Sequence, residues 1–166
     1  MTDIREAFAG DIPVIQEIAY ATWPETFKDI LTEAQIAYML EMMYSTEALT
    51  GQLGSGHRFF LVSENGVDLG FCSCETGYKN TPKTKIHKIY ILPEAQGKGV
   101  GKRLIAKCRE VALTEDDRQL SLNVNKYNRA IMFYEHLGFR KTAEEVIRIG
   151  GGYVMDDFVM DCDLLV

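Results

Sequence analysis

The sequence predicts a mixed α/β layer structure. Short runs of alternating apolar residues read as strands, longer stretches carry apolar residues at helical spacing, and the two kinds interleave along the chain. In order they give a strand, two helices, three strands, a helix, a strand, a helix and two strands. That is seven strands and four helices in 166 residues, a length suited to one domain over residues 1–166.

Residues 4–8 form the first strand. Asp11 is placed as the N-cap of the first helix, with Pro13 in its first turn and Val14, Ile15, Ile18 and Ala19 at helical spacing. Trp23-Pro24 ends or bends that helix. Thr32 and Gln35 make a capping-box pattern, followed by Ile36, Met39, Leu40 and Met43 on one face. Gly51, Gly54 and Gly56 close the helical region. Residues 57–63 and 67–75 read as strands joined at Asn65-Gly66, a hairpin signal. Residues 84–92 form a strand ended by Pro93. Val100, Leu104, Cys108, Val111 and Ala112 set a helical stripe, and residues 119–124 alternate as a strand. Residues 130–137 form a short helix stopped by Gly138. Strands from Phe139 onward and over 153–163 finish the chain, separated by Gly150-Gly151-Gly152.

Hydrophobic residues make up 46% and charged residues 25% of the chain, which excludes a disordered tail. No unbroken apolar run exceeds five residues, so no segment reads as a membrane span, and the first residues lack the apolar centre of a signal peptide. A soluble, cytoplasmic protein is expected, with no membrane partner. Cys72, Cys74, Cys108 and Cys162 read as buried, reduced thiols. His57, His87 and His136 stand too far apart in the chain to suggest a metal site, and none is expected.

Net charge is −6, yet residues 79–109 hold nine Lys or Arg and one acidic residue. Half the positive charge of an acidic protein thus gathers near one place, where an anion is expected. The acidic remainder disfavours a long nucleic acid and favours a small phosphate ligand. A solvated strand edge would account for Lys83, Lys85 and Lys88, and less well for residues 98–103.

The turn Gln96-Gly97-Lys98-Gly99-Val100-Gly101-Lys102 stands between a strand and a helix. Glycines there let the backbone approach a ligand, and the helix start offers free amides to a phosphate. It is not a P-loop, since Gln96 and Arg103 occupy places that motif gives to Gly and Ser or Thr, and the dinucleotide fingerprint also fails.

What remains resembles the GNAT superfamily of N-acetyltransferases, whose acetyl-CoA motif reads Arg/Gln-x-x-Gly-x-Gly/Ala. Gln96, Gly99 and Gly101 match it, and the stretch from Asn128 through Tyr134 to Gly138-Phe139 matches a second family motif. The resemblance implies the GNAT acyl-CoA N-acyltransferase fold, with acetyl-CoA as cosubstrate and no metal. It implies that the amides of Gly97, Lys98, Gly99, Val100, Gly101 and Lys102 hold the pyrophosphate. It places the pantetheine arm along the strand at Ile89 and Ile91, which splays from the strand at 119–124. Asn125 and Asn128 are alternative CoA contacts, because the Asn stands two residues before Ala130 where many members have three.

By the same resemblance Tyr134 occupies the general acid's position. A phenol near pKa ~10 facing a thiol near ~8.5 is mismatched by about 2 kcal/mol, which suits a hydrogen bond better than full transfer. His87 is the candidate base, placed on one strand face with Lys85, Ile89 and Ile91, and Glu75 is a weaker alternative. The N–H of Ile91 or its neighbour is the implied oxyanion donor. Residues 1–50 carry nine acidic and two basic residues, and Trp23, Phe27, Tyr38 and Tyr44 add aromatic surface. Such a wall suits a small cationic amine such as a polyamine. The expected reaction is direct acetyl transfer in a ternary complex. A catalytically silent acyl-CoA sensor, a protein N-terminal or lysine acetyltransferase and a plain nucleotide or nucleic-acid binder are the alternatives. A homodimer is a further arrangement that relatives often adopt.

Overall fold

The computed structural model describes residues 2–164. Strand β1 (Thr2–Ala7) leads into helices α1 (Ile12–Phe27), α2 (Glu33–Tyr44) and α3 (Thr46–Gly54), then strands β2 (Arg58–Glu64), β3 (Val67–Glu75) and β4 (Lys83–Ile91). Helix α4 (Val100–Thr114), strand β5 (Gln119–Asn125), helix α5 (Ala130–His136) and the hairpin β6 (Arg140–Gly150) and β7 (Tyr153–Asp163) complete it. The sheet order is β1-β2-β3-β4-β5-β7-β6. Among the described residues only β4 and β5 pair in parallel; every other neighbour is antiparallel.

Helices cover both faces of this sheet because its strands are apolar on both. One face sends Phe60, Cys72, Cys74, Leu120, Leu122 and Met160 against α4 and α5. The other sends Phe59, Leu61 and Phe71 against α1, α2 and α3. Cys72 and Cys74 share a face as their spacing requires, and all four cysteines are buried and free. At Asn65-Gly66 both residues take positive φ, 52° and 78°, as a tight hairpin of this hand demands.

Three local expectations change. Helix α1 runs through Pro24 to Phe27, because Pro24 and Tyr20, whose carbonyl loses its donor, both face solvent. Asp11 does not cap forward; its carboxylate accepts the Phe8 N–H at 3.0 Å and a hydrogen bond from Arg5. A fifth helix, α3, forms where glycines were read as a stop. Ser45 Oγ accepts the Ala48 N–H at 3.1 Å, and Leu49 is fully buried under the turn.

Two features of β4 position the site. Its ladder with β5 covers only Lys83 to Ile86, opposite Gln119 to Leu122, and beyond this the two strands part. A bulge opposite Ser73 and Cys74 then slips the alternation of β4. Ile86, Ile89 and Ile91 consequently pack on the α4 face, whereas Tyr90 packs on the α1 face. Strict alternation would have put Ile86 and Ile89 on opposite sides. His87 stacks on His57, next to Phe59 of the α1 face, and so does not share a face with Ile89 and Ile91 as alternation alone predicts.

Candidate active site

The parting of β4 and β5 opens a cleft of about 1630 Å³ that runs from the glycine turn to the ends of α1 and the β6–β7 hairpin. At one end Gly97 and Gly99 take φ of 81° and 76°, a region that side-chain-bearing residues avoid. Gly99 is the N-cap of α4, so the first amides of that helix face outward unpaired with its own turns. Gly101 serves packing. A Cβ there would lie 2.9 Å from Ile91 Cδ1 and 3.2 Å from Phe133 Cζ, so glycine is what lets α4 approach β4 and α5. Gln96 bridges the turn back to the strand, its Nε2 donating to the Ile91 carbonyl at 3.4 Å.

Along the slot the β5-facing edge of β4 has no ladder after Ile86 among the described residues. Ile89, Ile91, Gln96, Gly97, Gly99, Val100, Gly101, Lys102, Asn125, Asn128 and Tyr134 all line the cleft. Lys98 is exposed in the same turn and does not line it. Asn125 Oδ1 accepts the Tyr127 N–H at 2.9 Å, and Asn128 Oδ1 accepts the Ala130 N–H at 2.8 Å, starting α5. Both side chains therefore shape the turn before they meet any ligand. The slot, the strained glycines and the open helix end fit the long anionic and pantetheine parts of acetyl-CoA.

Tyr134 sits on α5 with its ring edge-on to Phe139 at 5.7 Å. Burial raises its pKa well above the ordinary phenol value, so the hydroxyl keeps its proton and is able to donate a hydrogen bond. His87 also lines the cleft, with its Nε2 2.9 Å from Glu75 Oε1. Burial lowers the His87 pKa, partly opposed by that carboxylate, so the imidazole is neutral at pH 7. Glu75 stands behind His87 and is not among the lining residues. His57, distant in sequence, stacks on His87 with ring centroids 4.1 Å apart and planes within 6°. Two of the three histidines thus meet, against the expectation from their spacing.

The acceptor wall also differs from its sequence outline. Trp23 and Phe27 touch the cleft but are core residues, 1% and 6% exposed. Trp23 Nε1 donates to Tyr44 Oη at 3.3 Å, and Tyr44 is fully buried. Tyr38 donates to the Ile149 carbonyl at 2.6 Å and holds the hairpin instead. Of the early acids, Glu25 and Asp29 reach the cleft, joined from the far side by Glu145 and Asp157.

Lys85 and Lys88 are not a solvated edge: they are 8% and 5% exposed and line the cleft floor. Lys85 donates to Asn123, whose Nδ2 donates to Asp157 at 3.3 Å, a polar chain across β4, β5 and β7 where the ladder ends. Lys88 has no carboxylate at ion-pair distance among the described residues; its Nζ lies 5.2 Å over the Tyr44 ring. Burial brings its pKa down to about 8. Sequence patterning could not reveal these lysines as buried, because the β4 bulge hides which face each takes.

A sheet parted at one parallel ladder, with a glycine turn and open helix end at one mouth and a buried phenol beside the slot, defines an acyl-CoA-dependent transferase. Residues 55–141 match the family described as acetyltransferase (GNAT) domain, and the chain belongs to it; it is an N-acetyltransferase of that family. The 5-NmdU N-acetyltransferase of Pseudomonas phage PaMx11 is 33% identical, over 74% of this chain and 86% of its own. An uncharacterized N-acetyltransferase of Methanocaldococcus jannaschii, MJ1207, is 36% identical over 54% of this chain, and the match spans only 41% of that relative. In fold, the PaiA N-acetyltransferase of Thermoplasma acidophilum, solved with coenzyme A, superposes with a TM-score of 0.84 at 21% identity, covering 98% of this chain and 99% of that one. No helix among the described residues is long and apolar enough to cross a membrane.

Proposed function

We propose that residues 1–166 form one catalytic domain that moves an acetyl group from acetyl-CoA directly to the primary amine of a small molecule. The observation that carries this reading is the continuity of the cleft, which joins the glycine turn and Tyr134 to a separate acceptor half lined by His87, Lys88 and Asp157.

In this reading residues 97–102 grip the pyrophosphate and the open edge of β4 aligns the pantetheine arm. The neutral amine attacks the thioester carbonyl while a β4 amide at or beside Ile91 donates to the developing oxyanion. The proton leaves the new ammonium for His87, directly or through water. As the carbon–sulfur bond breaks, the Tyr134 hydroxyl donates to the departing thiolate. A silent sensor would need neither this phenol nor a neutral imidazole in the cleft.

Two acceptor classes fit, each resting on a different wall. Glu25, Asp29, Glu145 and Asp157 support a small cationic amine of the polyamine kind. Lys88, a buried cation with no acidic partner, supports an amine that also carries a carboxylate, because such an ion gains most from a counter-charge brought by the ligand. Turnover of acetyl-CoA against spermidine, lysine, an aminoglycoside and a peptide amine separates them. Preference for the peptide over every small amine would remove the small-molecule reading, and calorimetry showing no coenzyme A binding would remove the whole proposal.

A further inference from the structure

His57, Glu75 and His87 form a cluster of which acetyl transfer uses at most one member. His57 precedes β2, Glu75 ends β3 and His87 lies on β4, so three neighbouring strands each bring one donor. Glu75 Oε1 stands 2.9 Å from His87 Nε2 and 3.4 Å from His57 Nε2, and all three donor atoms fall within 4.8 Å of one another. Donors around one tetrahedral ion at ~2.1 Å are separated by roughly 3.4 Å.

We infer that His57, Glu75 and His87 form a binding site for a divalent transition metal of the zinc class, and that filling it withdraws His87 from the acceptor cleft. Two imidazoles and one carboxylate are borderline donors, which suit Zn²⁺ or Co²⁺ and not the all-oxygen preference of Mg²⁺ or Ca²⁺.

The two rings are parallel, so they must tilt apart to aim both Nε2 lone pairs at one ion. Little opposes that turn at His57, whose buried Nδ1 has no hydrogen-bond partner. The contacts given up are one ring stack and the Glu75–His87 hydrogen bond, exchanged for three coordinate bonds. Lys88 acts against positive charge at both histidines, and Tyr78 closes the side of His87 edge-on at 5.6 Å.

The test is titration of the full chain with ZnCl₂ by calorimetry and with CoCl₂ by visible absorption, in buffer free of thiols and chelators. The expected result is saturable uptake of one ion per chain, with a cobalt ligand-field band and no thiolate charge-transfer band. Zn²⁺ is expected to lower kcat about tenfold or more, reversed by EDTA. His57→Asn keeps basal turnover and weakens metal uptake on the order of 10–100-fold. Where that variant does not fold by circular dichroism, His57→Gln replaces it. Absence of one-site uptake, a thiolate band, or uptake unchanged in the His57 variant overturns the inference. The uptake readout stands whether or not His87 is the base, so its failure is distinct from failure of the acetyl-transfer reading.

Discussion

Tyr134 and Lys88 face the same cleft, and burial acts on them in opposite senses. Burial holds the Tyr134 proton on. Tyr134→Phe should lower kcat about 100-fold or more while leaving the KM for acetyl-CoA within a factor of about three; unchanged turnover would reject the assignment. At Lys88, burial favours the neutral amine, with pKa about 8 against an ordinary 10.5. Between those values the unfolded chain binds more protons than the folded one, so stability rises with pH through that window and the full penalty applies below it. The cation–π contact with Tyr44 offsets part of the cost. Lys88→Met should therefore stabilise the protein at pH 7 by about 1–3 kcal/mol in urea unfolding, and the gain should fade by pH 10. A Lys88→Met protein less stable at pH 7 would show the ammonium to be better compensated than its surroundings suggest. The same variant should lose affinity for an aminocarboxylate acceptor and not for a polyamine.

At the scale of elements, the helix–strand contact at Gly101 carries the next expectation. Gly101→Ala gains helix propensity of about 1 kcal/mol but puts a methyl 2.9 Å from Ile91 Cδ1. The two effects nearly cancel in stability, whereas the start of α4 is pushed from β4. The KM for acetyl-CoA should rise on the order of tenfold, and adding Ile91→Val should restore it. Steady-state kinetics on the two variants decide this. The glycine turn was legible in sequence because strained backbone leaves its mark in residue type: Gly97 and Gly99 stand where φ is positive. The core faces of α4 and β5 were legible because burial repeats with the period of the element. What was hidden depends on breaks in period. The bulge in β4 slips the alternation there, so His87 does not share the face of Ile89 and Ile91 that alternation assigns to it. Helix α3 buries one leucine and carries glycines, so nothing periodic announced it. The pairing of His57 with His87 follows from the β2-β3-β4 meander, whose register a spacing argument does not contain.

In the whole molecule, two cores lie on opposite faces of one sheet, and that sheet is narrowest in pairing at its centre. Strands β1 to β4 and β5 to β7 share a ladder of four residue pairs, so the halves depend on the helices that cover them. A ligand lying in the slot would contact β4, α4 and α5 together and bind only the assembled form. In the proposed binding mode Lys102 at the glycine turn would add attraction for its phosphates, while Lys83 and Lys107 are spent on Asp161 and Glu110. Coenzyme A at about 100 times its Kd should then add roughly 2.7 kcal/mol to unfolding. For a chain of this length each kcal/mol moves Tm by about 2–4 °C, so a rise of roughly 5–11 °C is expected in calorimetry. The rise should shrink with added salt, because part of the attraction is between charges at the mouth of the cleft. Hydrogen exchange should slow along β4 beyond Ile86, where amides without a ladder partner gain one from the ligand. A Tm indifferent to coenzyme A, or protection confined to strands away from this seam, would show that the opening between β4 and β5 is not where the ligand lies.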